Sequence, residues 1–499
     1  MANKDTIVQP QEGVPAFAEL SEFDSLLQKE FRPKTDQAKQ AVQIAVRTLA
    51  EQALIGALSI PDDAIKTIES LIAELDRKLT EQVNLIMHHQ DYQQLEGSWR
   101  GLHHLVANTE TDETLKIRVI NISKKELGRT LKKFKGTAWD QSPLFKKVYE
   151  DEYGTPGGAP YGCLVGDYFF DHTAPDVDIL SGMAQIAAAA HTPFLSAASP
   201  TVMGFDSWQQ LGDPRDLTKK FQMAEYAPWN SLRASDDARY LGLAMPRYLS
   251  RLPYGAKTSP VDEFAFEEDV AGADHGKYCW GNAAYLMATN ITRSFKMYGW
   301  CARIRGMESG GRADGLPCHT FPTDDGGVDM KCPTEVAITD RREAELAKNG
   351  FMPVSHYKNT DYAVFMGAQS LQKPQEFEDK DATANANLSA RWPYLFAVCR
   401  FAHFLKCMVR DKVGAFKDRA EMQTWLNGWV NQYCVDSASS SETQKAERPL
   451  ASAEVVVEDI EGNPGFYSAK FFLKPHYQLE GLTVSLRLVS KLPTAKGGQ

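Results

Sequence analysis

Residues 88–106, HHQDYQQLEGSWRGLHHLV, set two histidine pairs, His88–His89 and His103–His104, around Asp91 and Glu96. Imidazoles and carboxylates are zinc ligands, and zinc holds each donor at about 2 Å. The spacing argues against that chemistry. Tyr92, Leu95, Trp99, Leu102 and Val106 recur every three or four residues, which predicts one helix. On a straight helix His88 and His104 stand ~24 Å apart and His89 and His103 ~21 Å apart. A break at Gly97 or Gly101 could join the pairs, but it would interrupt the apolar stripe. The stretch therefore reads as a packing helix with histidines on its polar face. Tyr92, Leu95, Trp99 and Leu102 meet either a partner or the chain's own body, and the two glycines leave room for a close backbone.

Other chemistry is as thinly supported. Cys318 and His319 are adjacent, but neighbours on a loop rarely face each other, so a Cys–His dyad is not expected. GADHGKY (272–278) has short glycine spacing and puts Tyr278 where a phosphate loop needs Ser or Thr. FPTDDGGVDMKCP (321–333) lacks the spacing of a calcium loop and fits turn chemistry. Asp167, Asp171, Asp176 and Asp178 form a loose carboxylate group, the last two at a helix start. There is no G-x-S-x-G elbow and no G-x-G-x-x-G after a strand. The eight cysteines include no C-x-x-C and read as reduced, mostly buried thiols. No catalytic residue, metal or cofactor is expected.

The elements that carry these residues belong to an ordinary globular chain. Its 499 residues suffice for two or three cores. A net charge of −10 gives no global attraction to nucleic acid or anionic membrane. The first residues show no apolar leader, and no apolar run reaches membrane length. Leu20, Phe23, Leu26, Leu27 and Phe31 mark a short amphipathic helix ended by Pro33. It either docks on its own chain or is offered to a partner's groove. Ile65, Ile68, Ile72, Leu75, Leu79, Val83 and Ile86 stripe a longer helix that opens at Pro61-Asp62-Asp63.

Beyond residue 110 the pattern alternates. LKIRVINI (115–122) is strand-like, SKKE (123–126) is a capping box, and Ser142-Pro143 starts another helix. GCLVGDYFF (162–170), TPFLSAAS (192–199) and YLGLAM (240–245) read as buried strands, with a helix over 176–191 between the first two. That is a βαβ signature and predicts a partly parallel sheet. Residues 250–278 look irregular, 282–300 helical, and 305–335 a long loop region. A strongly apolar helix covers 387–414, with Pro393 placed to kink it, and a mixed-charge helix covers 416–433. A polar hinge over 437–449 precedes three strands, AEVVVEDI, FYSAKFFLKP and LTVSLRLVS. Strands at a chain end present an open edge unless something covers them.

Several long stretches resemble one family. They include the opening segment, GDYFFDH, KYCWGNAAYLMATNI, GLPCHTFPTDDGG, CPTEVAITDRREAELAKNGFMPV and NANLSARWPYLFAVCRFAHFLKC. They are similar to the large sheath subunit of bacterial type VI secretion systems, the TssC/VipB/EvpB family, from about residue 60 onward. The resemblance implies an α/β, multidomain fold like that of contractile tail sheaths. It has mixed sheets flanked by helices, an N-terminal helical segment, and C-terminal strands shared with neighbouring subunits. It implies four regions: a flexible segment with helices (1–58), a helical packing region (59–110), an α/β sheath domain (111–375) and an interlocking C-terminal domain (376–499). It implies a cytoplasmic structural part attached to a membrane-anchored baseplate. Its partners are a small sheath subunit, further copies in hexameric rings, an inner-tube ring protein, the baseplate and an AAA+ unfoldase.

By the same resemblance Leu20, Phe23, Leu26 and Leu27 are candidate unfoldase contacts. Tyr467, Ala469, Phe471, Leu473, Leu482, Val484, Leu486 and Leu488 lie on the interlocking strands. Lys417, Arg419 and Glu421 are candidate inner-tube contacts, against the plainer reading of a solvated helix face. The rivals are a sheath protein of another contractile particle and a cytoplasmic hydrolase using His319 or Asp167 and Asp171.

Overall fold

The computed structural model describes residues 40, 44, 64–212, 216–272, 274–323, 325–412, 419–437, 439–459, 467–476 and 478. The helix carrying Leu20, Phe23, Leu26 and Leu27, the strand carrying Leu482, Val484, Leu486 and Leu488, and Lys417 lie outside the described residues.

Two compact units can be separated. Among the described residues, the first comprises those up to 97 together with 249–280 and 317–331. Helix α1 spans Ala64–Met87, and α2 (Gln90–Ala107) contributes its first turns, up to Gly97. The chain breaks helix at His88 and His89, not at the glycines. The long stretch 249–280 has little regular structure, so its polar backbone needs outside partners. Asn84 on α1 supplies two: its amide donates to the Glu267 carbonyl (3.0 Å) and accepts from the Asp269 N–H (2.8 Å). The Gln93 side chain donates to the Gly276 carbonyl. A Cβ at Gly97 would stand 2.8 Å from the Trp280 carbonyl oxygen, so only glycine permits this approach.

Among the described residues, the second unit comprises 98–248, 281–316 and those from 332 onward. Its fold is α/β. Helix α3 (Lys124–Lys133) begins with the expected capping box between Ser123 and Glu126. Strand β1 (Leu164–Phe170), helix α4 (Ala174–Ala190), strand β2 (Phe194–Ala198) and strand β3 (Leu241–Met245) follow. Next come α5 (Ala284–Tyr298), β4 (Arg312–Ala313), α6 (Asp340–Lys348), β5 (Phe351–His356) and β6 (Ala363–Phe365). The sheet order is β1-β2-β3-β5-β6-β4. The first four strands run parallel, and β6 is antiparallel to both its neighbours.

Both faces of this sheet are covered, as a parallel sheet requires. Phe194, Leu241, Leu243 and Phe351 face a core with α3 and α4, in which Trp208 and Trp229 are wholly buried. Leu195, Ala244, Met352 and Val354 face the opposite core, with α5 and helix α7 (Trp392–Asp411). Trp392 lies so close to Gly242 that a Cβ there would meet its ring at 2.3 Å. Gly101 is likewise pressed on the Tyr285 ring.

Two expectations need correction. Residues 115–122 join no sheet: Ile117 and Ile122 pack inward, but no described strand pairs with the segment. Pro393 does not kink a helix over 387–414. A short helix ends at Ser389, and Pro393 sits in the first turn of α7, where its missing N–H costs nothing.

The C-terminal part builds a third core. Helix α8 (Arg419–Asn431), a short helix α9 (Glu442–Glu447) inside the stretch read as a hinge, and strands β7 (Leu450–Asp459) and β8 (Tyr467–Pro475) enclose it. Phe401, Trp300, Leu426, Val430, Val455 and Val457 are its centre.

Candidate functional site

β7 and β8 form a two-stranded antiparallel sheet in register from Ser452↔Lys474 to Asp459↔Tyr467. Ala469, Phe471 and Leu473 turn toward the third core, while Ser468, Lys470 and Phe472 are exposed. Tyr467 opens β8 opposite Asp459. The two edges of this ribbon differ. On β7 the outward N–H and C=O of Val455 are both taken by the Asn427 side-chain amide at 2.9 Å. The Val457 N–H donates to the Gln423 side chain at 3.1 Å. Two amide side chains of α8 thus occupy the groups that another strand would need. No described strand pairs with the far edge of β8.

Arg419, at the start of α8, lies 3.1 Å from Asp459 at the end of β7, and Glu421 is exposed. The Arg419–Asp459 pair is open to water, so it adds only about 0–1 kcal/mol.

On α2 the predicted stripe points away from the buried side. Trp99 is 65% and Leu95 57% exposed, and Tyr92 and Val106 are also open. Leu102 alone of the stripe packs against the second core. The buried side is the row Gly97, Gly101 and Leu105, each four residues apart. On α1, Ile72, Leu85 and Ile86 are exposed as well.

The residues with chemical potential have other employment. His88 lies 3.4 Å from Glu268, and His104 is tilted against the Tyr248 ring. His319 shares a 2.8 Å hydrogen bond with the Tyr278 hydroxyl, and burial holds its pKa down. Asp167 accepts from Asn282, Asp171 from Thr173, and Asp178 pairs with Lys135. Asp176 caps the Asp171 N–H and pairs with Lys124 at 2.7 Å; burial raises its pKa against those contacts. Among the described residues, no three His, Cys, Asp or Glu side chains converge as a metal site would require. No described helix is long and apolar enough to cross a membrane.

Sequence reading missed an ion network in the first unit. Arg251 binds Glu96 through Nε (2.6 Å) and Glu268 through Nη1 (2.6 Å), with second contacts of 3.2 and 3.0 Å from Nη2. Glu268 also accepts from the Tyr254 N–H. Burial opposes the Arg251 charge, but the two carboxylates outweigh it and push its pKa above the usual range.

Two family models match in tandem. EvpB/VC_A0108, tail sheath N-terminal domain, covers residues 69–372. EvpB/VC_A0108, tail sheath gpW/gp25-like domain, covers residues 381–492. The chain belongs to the TssC/VipB/EvpB family of type VI secretion sheath proteins. A curated relative is the type VI secretion system sheath protein TssC1 of Pseudomonas aeruginosa. It is 70% identical over 486 residues, 97% of this chain and 98% of that protein. A chain in the cryo-EM structure of the anti-feeding prophage baseplate aligns with a TM-score of 0.38 and 12% identity, over 76% of this chain and 84% of that one. Within the sheath family model the C-terminal match spans α7, α8 and the β7–β8 ribbon.

Proposed function

We propose that this chain is the large subunit of a type VI secretion contractile sheath. It pairs with a small sheath subunit, and the pairs stack with further copies as hexameric rings around an inner tube of ring protein. The sheath grows from a baseplate in the bacterial cytoplasm, stores energy in its extended lattice, and contracts to drive tube and spike into a target cell. An AAA+ unfoldase then dismantles it. The part is structural and catalyses no reaction.

The observation that carries this reading is family membership spanning both the α/β body and the C-terminal ribbon. The ribbon supports it chemically. Its β7 edge is occupied by Asn427 and Gln423, so strand addition is confined to β8. The exposed row Tyr92, Leu95 and Trp99 supplies an apolar helix face for the small subunit. The test is electron microscopy of the chain expressed with and without a small sheath subunit. Hollow tubes that form only with the partner agree with the proposal. Tubes of this chain alone point to a single-protein sheath, and compact monomers in both cases refute assembly altogether.

A further inference from the structure

A recess of about 130 Å³ lies within the second unit, between α5, the end of α2 and β4. Leu286, Asn290 and Arg293 line it from one face of α5, His104 from α2, and Ala313 and Asp314 from β4 and the residue after it. Leu286 and Ala313 give it apolar walls, and exposed Asp314 stands at its mouth.

Asn290 is only 1% exposed, yet among the described residues its Nδ2 has no hydrogen-bond partner. The orientation of the amide is fixed by its other end. Oδ1 accepts from Arg293 Nη2 at 2.8 Å, and a guanidinium only donates, so the atom facing it is the oxygen. The orphan is therefore an N–H₂ group, and a buried donor of this kind calls for an acceptor. Arg293 is short of a counter-charge in the same place. Its Nη2 serves Asn290 and the carbonyls of Gly310 and Arg312, all neutral. Asp314 lies against Arg312, and its other oxygen comes no nearer than 3.9 Å to Arg293 Nη1.

We propose that this recess is a binding site for a small carboxylate. One carboxylate oxygen accepts from Asn290 Nδ2, the negative charge faces Arg293, and a short aliphatic part rests on Leu286 and Ala313. The volume is well below the roughly 300–1,000 Å³ of sites for drug-sized ligands, so the guest has few heavy atoms. One unmatched cation with Asp314 at the mouth favours a monoanion over a dianion such as phosphate. The electrostatics agree. Burial, with Arg312 adding to it, outweighs Asp314 and holds the Arg293 pKa below its usual range, and a bound carboxylate would oppose that shift. Burial also holds the His104 pKa down, with His103 adding to it, so this ring brings no charge at neutral pH.

The test titrates the full chain with sodium acetate at constant ionic strength and follows the acetate methyl group by saturation-transfer NMR. Acetamide, the neutral isostere, is titrated in parallel. Acetate is expected to bind saturably and acetamide at least about tenfold more weakly. Asn290→Asp keeps the size of the side chain and an oxygen for Arg293, but puts a carboxylate where the ligand belongs. It is expected to weaken acetate at least about tenfold. Asp314→Asn, at an exposed position, removes the repulsion at the mouth and is expected to tighten acetate about threefold. If Asn290→Asp folds poorly, the acetate–acetamide comparison and Asp314→Asn decide the matter. Absence of saturation by about 50 mM acetate, which leaves the recess to water, overturns the proposal. So does equal binding of acetamide, or a folded Asn290→Asp chain that binds acetate as the wild type does.

Discussion

Arg251 offers the sharpest test of what holds the first unit together. Its side chain is 8% exposed, and the Glu96 and Glu268 side chains are 9% and 1% exposed. In Arg251→Met the apolar stem is retained, and four hydrogen bonds to carboxylates and one to the Leu252 carbonyl are removed. Two buried carboxylates are left facing each other with the cation gone. Removing one member of a buried ion network costs about 3–5 kcal/mol, most of it from the charges left behind. The damage concentrates where Glu268 accepts the Tyr254 N–H. Amide hydrogen exchange at residues 251–270 reads that opening directly, and the loss corresponds to a fall in protection of about a hundredfold to several thousandfold. The double variant Arg251→Met with Glu268→Gln removes one orphan charge and should recover part of the loss. A fall of less than tenfold in the single variant, or a double variant worse than the single by the full cost of a second lesion, would refute the reasoning.

Three further outcomes are expected. Asn427→Leu strips the Val455 N–H and C=O of their partners at a wholly buried residue and should destabilise the C-terminal core by about 2–5 kcal/mol in urea unfolding. Leu95→Ala with Trp99→Ala changes side chains already in water, so the isolated chain should lose less than about 0.5 kcal/mol while co-assembly with a small subunit falls sharply, read by co-purification. His403 is held down to about 4, mainly by burial, with Arg400, His191 and Lys406 adding to that and the Ala190 carbonyl opposing it. An unfolded histidine binds its proton near pH 6.5, so stability should fall by roughly 3 kcal/mol between pH 6.5 and pH 4 and level off below. His403→Gln should flatten that window in melts across the pH range.

The parallel core of the sheet was legible because its strands are continuous apolar runs. Leu164–Phe170, Phe194–Ala198 and Leu241–Met245 match the expected segments closely. β5 was not read, although it is central. Its sequence FMPVSH carries a proline and two polar residues, which speak against a buried strand. The structure resolves the conflict through pairing. Phe351 to Pro353 pair with β3, and Val354 to His356 with β6, so Pro353 sits where the strand changes partner. The opposite error, at residues 115–122, has a simple cause. Alternation reports an extended backbone with one apolar face, not whether a second strand lies beside it.

At the candidate surfaces, spacing gave the helix of α2 but not its inward side. Tyr92, Leu95 and Trp99 dominate any apolar pattern, yet the close approach belongs to Gly97 and Gly101, whose lack of side chain is the signal. The alternation of β8 was legible, since Ala469, Phe471 and Leu473 share one face. The closure of β7 was not, because Asn427 is 28 residues away and its amide could have served any buried backbone. The same holds for Arg251 and Glu96, separated by 155 residues, one of them in a stretch without periodicity.

The unequal margins of the β7–β8 ribbon set its valence. A ribbon with two free margins is a divalent monomer and can propagate into an indefinite cross-strand stack. With Asn427 and Gln423 occupying the backbone groups of β7, the strand addition proposed above has one margin to use, that of β8. On the proposed assembly, a lattice of such single-sided junctions would have its stoichiometry written into each subunit, and its strands could part and rejoin without a second place to go.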